Sequence, residues 1–84
     1  MAAEKEIGKV AHYYTNIGVA VIELTGELKV GDTIHIKGHT TDFTQSVDSM
    51  EFEHEKLQSA KKGQSIGLKA SEHVRDGDKV YKTA

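Results

Sequence analysis

Apolar and polar residues alternate along short stretches of the chain, and glycines separate the stretches. Between Glu6 and Tyr14 the apolar positions are Ile7, Val10, Tyr13 and Tyr14, and Gly8 interrupts the alternation. That pattern predicts a first strand, kinked or bulged near Gly8. Thr15-Asn16-Ile17-Gly18 predicts a turn, because Asn and Gly both tolerate positive φ. Val19 to Leu24 is rich in β-branched residues and too short for a stable helix, so it is a second strand. Thr33-Ile34-His35-Ile36-Lys37 alternates cleanly and gives a third, with Ile34 and Ile36 inward. A fourth strand is expected from Phe43 to His54, anchored by Val47, Met50 and Phe52, with a bulge where the step from Val47 to Met50 breaks period two. Glu51 to Lys62 also contains good helix formers, but a helix would set Glu51 against Glu55 and leave a thin apolar stripe. Its second half is read as a turn or a single helical turn. Ser65 to Ala70 and Lys79 to Lys82 supply a fifth and a sixth strand.

Six short strands in 84 residues cannot fill two sheets. Closing them into a barrel removes exposed edges and buries one apolar row per strand. The expected fold is therefore all-β, a six-stranded antiparallel closed β-barrel with at most one short helical turn. Residues 1–84 form one domain in this reading, with 1–5 a disordered N-terminus and 6–83 the barrel. At the usual stability per residue such a domain has about 4–13 kcal/mol in total, too little to carry an unpaired buried charge. A functional site is expected on the rim or outer wall.

Composition narrows the chemistry. Cys, Pro and Trp are absent, which excludes disulfides, thiolate metal sites and a cysteine nucleophile. The longest mainly apolar run, Ile17 to Ile22, is far too short to span a membrane, and the N-terminus does not read as a signal peptide. A cytoplasmic monomer with no membrane association is expected. Eleven Lys and Arg against thirteen Asp and Glu give a net charge of −2. That argues against a protein whose main task is gripping phosphates.

One motif recurs. Leu28-Lys29-Val30-Gly31-Asp32, Ala60-Lys61-Lys62-Gly63-Gln64 and Val74-Arg75-Asp76-Gly77-Asp78 each run from an apolar residue through two positions to Gly and an Asp or Gln, and each precedes a strand. In each the apolar residue plugs the barrel end, Gly takes a left-handed conformation and the polar side chain bonds nearby backbone N–H groups. Gly31, Asp32, Gly63, Gly77 and Asp78 are thus expected to be structural turn residues, not catalytic or metal-binding ones.

Together with Ile17 to Leu24, Val47-Asp48-Ser49-Met50 and Ser65 to Leu68, this order resembles domain 2 of the translational GTPases, the barrel of elongation factor Tu. The likeness spans roughly Ile7 to Lys82. A similar barrel ends some members of the collagenase-like peptidase family, and the chain looks most like a free-standing, elongation-factor-like copy. The resemblance implies a binding module associated with translation or RNA, touching tRNA or the ribosome. By position, the pocket for the 3′-terminal adenosine of aminoacyl-tRNA would fall near Asn16, Gly18, Asp48 and Leu68. The family's Arg-bearing turn is replaced here. The phosphate loop is missing too, since Gly8-Lys9 has Ala3 five residues before the Gly and Val10 after the Lys. No GTP binding, GTPase or peptidase activity of its own, and no cofactor, is expected.

Other candidates are weaker. Tyr14, beside the first turn and near Lys9 and His12, could stack on a base. The histidines at 12, 35, 39, 54 and 73 supply no third ligand at a fixed spacing, so no metal is expected. His12 or His54 beside Glu51, Glu53 or Glu55 has no accompanying nucleophile, and the chain reads as a non-enzyme. The alternative to an RNA-associated module is a protein-interaction adaptor that docks on a separately encoded enzyme or factor.

Overall fold

A computed structural model describes residues 4–53 and 55–83. Ten antiparallel strands run in chain order as β1 (Glu4–Tyr14), β2 (Val19–Leu24), β3 (Leu28–Lys29), β4 (Thr33–Lys37), β5 (Asp42–Ser46), β6 (Met50–Phe52), β7 (Glu55–Leu57), β8 (Ser59–Ala60), β9 (Ser65–Lys69) and β10 (Lys79–Thr83). Eight form one sheet in the order β5-β4-β10-β1-β2-β9-β6-β7, and β3 pairs with β8 alone. Among the described residues there is no helix. Strand β1 includes Glu4 and Lys5, within the segment expected to be disordered, and residues 1–3 lie outside the described residues.

The inward row is the one marked by alternation. Ile7, Val10, Ala20, Ile22, Leu24, Ile34, Ile36, Met50, Ile66, Leu68 and Val80 are buried in one core. Strand β1 carries two bulges, between Glu6 and Gly8 against β10 and between Val10 and His12 against β2. The first puts Ile7 and Gly8 both inside, and an added Cβ on Gly8 would meet the Glu23 carbonyl at 2.8 Å. The bulges let one long strand bend across two neighbours.

The three repeated segments close the same type II turn, in which Gly at the third position needs positive φ. Gly31, Gly63 and Gly77 have φ of 98°, 91° and 89°. In each turn the last residue's N–H bonds back to the carbonyl three residues earlier, at 3.1 Å in all three. Its side chain accepts from that same earlier residue's N–H: Asp32 from Lys29 at 2.9 Å, Gln64 from Lys61 at 2.7 Å and Asp78 from Arg75 at 2.9 Å. Each turn then clasps one buried residue. Gly31 N–H donates to Val47 O while Val47 N–H donates to Asp32 O, and the same exchange joins Gly63 and Gln64 to Leu24, and Gly77 and Asp78 to Val10. The leading apolar residues Leu28, Ala60 and Val74 are all buried, and Leu28 and Ala60 face each other across the β3–β8 pair.

Two expectations are corrected. The segment from Phe43 to His54 is not one bulged strand. Val47 keeps the register of β5, opposite Asp32, through the backbone bonds it exchanges with Gly31 and Asp32; pairing along that line then stops, and β6 starts anew at Met50. The anticipated helical turn is replaced by β7, which pairs Glu51 with Lys56 and Met50 with Leu57 across a hairpin. Opposite charges on facing positions favour that pairing. His54 lies outside the described residues.

The sheet also does not close into a six-stranded barrel. Its edges are β5 and β7, and among the described residues no ladder joins them. No backbone pairing joins β5 to β9 among the described residues either. Among the described residues one side chain crosses the gap: Gln45 Nε2 donates to Lys69 O at 2.9 Å, and Ser71 N–H donates to Gln45 Oε1 at 2.7 Å.

Candidate functional site

That unclosed seam forms a cleft of about 360 Å³. One wall is Gln45 to Ser49, leaving the edge strand β5; the other is Leu68 to Ser71, leaving β9. Val47, Leu68 and Ala70 are buried apolar residues at its base, while Ser46, Asp48, Ser49, Lys69 and Ser71 are more exposed. The chemistry on offer is one carboxylate, one amine, three hydroxyls and a strand edge.

A second hollow of about 330 Å³ is lined by residues 12–17. Here Tyr14 O accepts from Gly18 N–H at 2.8 Å, and Gly18 has φ of 67°. Tyr14 is 49% exposed, with its ring edge-on to His12 at 4.4 Å, and Ile17 is 63% exposed. Ala70 N–H donates to Gly18 O at 2.9 Å, so the turn leans on the end of β9.

The residues singled out from the sequence fall on these two neighbouring surfaces. Asp48 and Leu68 line the seam cleft, Tyr14 and Asn16 line the hollow, and Gly18 holds Ala70 between them. Gln45 escaped notice. Its signal is a polar residue on the inward phase of a strand, between the buried Phe43 and Val47.

The strongest electrostatic arrangement lies elsewhere. His35 Nδ1 is 2.7 Å from Glu4 Oε2, and Nε2 bonds the Asp42 carboxylate, so the ring ties β4 to the start of β1 and to edge strand β5. The hydrogen bond that the ring donates to Asp42, then that to Glu4, raises the His35 pKa above its ordinary 6.5. The same bond from His35 lowers Asp42 below 3.8. A raised histidine pKa stabilises the fold fully below the unfolded value and loses that contribution as pH rises through the folded value. The lowered Asp42 contributes above its unfolded value and loses its share as pH falls through the folded one. The clamp is therefore complete between 3.8 and 6.5. An NMR titration is expected to place His35 above its ordinary value, with D42N bringing it down; a value at or below the ordinary one would contradict the clamp. Both ring nitrogens face carboxylates, which leaves none free to take a proton from a nucleophile. Among the described residues no group of three or more His, Cys, Asp or Glu could hold a metal ion.

The architecture matches a solved structure closely. The C-terminal domain of a Geobacillus thermoleovorans protein described as a U32 peptidase superposes with a TM-score of 0.86, covering 90% of this chain and 89% of that one at 22% identity. The fold is that of a U32 peptidase C-terminal domain. An uncharacterized protease of Methanocaldococcus jannaschii is 47% identical over 77 residues, which is 90% of this chain and 19% of the relative. A collagenase of Porphyromonas gingivalis is 40% identical over 78 residues, 90% of this chain and 22% of the relative. The chain thus spans about a fifth of the length of the curated relatives it matches. No family model matches it.

These relatives overturn the reading as a translation- or RNA-associated module touching tRNA or the ribosome. The relatives are named as a protease and a collagenase, and neither is named as a translation factor. The misreading has a physical source. The motifs behind it are Gly-led turns and short apolar strands, which report how the backbone is punctuated and say nothing about what it binds.

Proposed function

We propose that this chain is a polypeptide-engaging accessory module of a U32-type peptidase, supplying binding rather than bond cleavage. The observation that carries this reading is the seam cleft, an open strand edge above an apolar base in a fold whose relatives are named protease and collagenase. The His35 cluster has no free ring nitrogen, which favours a binding role over catalysis. Heat-denatured collagen is the natural probe, since it presents an unfolded backbone. The chain is expected to be retained on immobilised denatured collagen and to release no fragments from it over hours. Passage through the column unretained, or hydrolysis by the purified chain, would contradict the proposal.

A further inference from the structure

We propose that the edge of β9 at Lys69 and Ser71 is a strand-addition site for an extended polypeptide, and that the Gln45 carboxamide occupies it in the free protein as a displaceable stand-in for a peptide group. The inference rests on the polypeptide-engaging reading above and gives it a place and a mode.

Alternation along β9 decides which backbone groups are free. Ala20 pairs with Leu68, and Ala70 N–H bonds the Gly18 carbonyl, so Leu68 and Ala70 turn toward β2 and its turn. Lys69 O and Ser71 N–H consequently face the opposite side, into the cleft. On that side, among the described residues, β6 meets β9 only at Glu51 and Gly67. Beyond Gly67 the edge has no backbone partner among the described residues, and Gln45 alone reaches it.

The pair that Gln45 satisfies has a specific geometry. A carbonyl at one residue and an N–H two residues later are the groups that a single residue of a strand added in parallel engages, its N–H donating to the first and its C=O accepting from the second. Gln45 offers one donor at 2.9 Å and one acceptor at 2.7 Å to those same two groups. Replacing it with a peptide backbone conserves both hydrogen bonds, so exchange leaves no buried group unpaired. The balance then shifts with what the incoming chain adds: small apolar side chains against Val47, Leu68 and Ala70, and hydroxyl or amide contacts with Asp48 at the rim. Peptide recognition by strand addition takes its affinity from backbone bonds and its selectivity from such pockets.

A titration of the ¹⁵N-labelled chain tests this. The probe is an end-blocked ten-residue peptide of Ser, Thr and Val, with a second peptide N-methylated at alternate residues as its partner. The unmodified peptide is expected to shift the Gln45 side-chain amide pair and the Ser71 amide together, and the N-methylated one to leave them in place. Gln45→Ala removes the competitor and should bind about three- to tenfold tighter. If that variant does not fold, Gln45→Glu keeps the acceptor for Ser71, loses the donor to Lys69 and should tighten binding in the same direction. Equal binding of the N-methylated peptide, or weaker binding by the Gln45 variant, overturns the proposal. Peptide-induced shifts confined to residues 12–17 overturn it too, while leaving the polypeptide-engaging reading intact. Failure to bind either the peptide or denatured collagen removes both.

Discussion

Replacing Gly38 with Ala is expected to remove about 3 kcal/mol or more of stability, lowering the melting temperature by roughly 12 °C or more. Gly38 lies against the side chain of Asp78, and a Cβ there would fall on the carboxylate itself. Asp78 is only 5% exposed and is held from both ends. Its side chain accepts from Arg75 N–H, and its carbonyl accepts from Val10 N–H at 2.7 Å. Pushing the carboxylate aside breaks the first bond and strains the turn that clasps Val10. Gly38 cannot retreat easily either, since its N–H donates to Thr41 O at 2.7 Å. Against a total of about 4–13 kcal/mol, the loss is a large fraction. Thermal melts monitored by circular dichroism check it. Asp78→Ala should be destabilising alone, yet adding Gly38→Ala to it should cost much less than in the wild type, because the clash has gone. A Gly38→Ala protein that melts with the wild type would contradict the packing described.

Leu28→Ala is expected to cost about 2–5 kcal/mol, read as a lower urea midpoint. Leu28 is fully buried and sits directly across from Ala60, so two of the repeated turns meet through one large and one small side chain. Truncating the large one leaves a cavity, and Ala60→Leu alone overfills the site. The exchange of both, Leu28→Ala with Ala60→Leu, conserves volume and should recover part of the loss. Strict additivity of the two single effects would show that the plugs do not touch.

Much of this fold is legible where a strand has one buried and one solvated face. Val19–Leu24 and Thr33–Lys37 are read to the residue, because β-branched alternation leaves little choice of register. The kink at Gly8 is visible as a break in that alternation, and the second bulge, near Ala11, is not. Strand β7 is hidden because Glu55 and Lys56 are polar, and its pairing depends on β6 across the hairpin. The open seam is hidden for a related reason. Val47 is inward as its pattern suggests, but whether the edge beyond it meets β9 is set by positions far apart in the chain, which alternation does not report.

The candidate site divides along the same line. The turn around Asn16 and Gly18 announces itself through turn chemistry, whereas Gln45 is one half-buried amide whose meaning depends on where β9 ends. Function is least legible. One set of motifs resembles both a translation-factor barrel and the barrel of the collagenase-like peptidases, and the protease- and collagenase-named relatives separate the two.

The central claim is that the chain contributes polypeptide binding and not cleavage, and steady-state hydrolysis of denatured collagen by a relative tests it most directly. The Porphyromonas gingivalis collagenase would be assayed intact, with its matching segment deleted, and with this chain in that segment's place. Deletion should raise KM about tenfold or more with kcat little changed, and this chain should restore KM, the signature of lost and regained uniform binding. A collapse of kcat with KM unmoved, or no restoration by this chain, would contradict it.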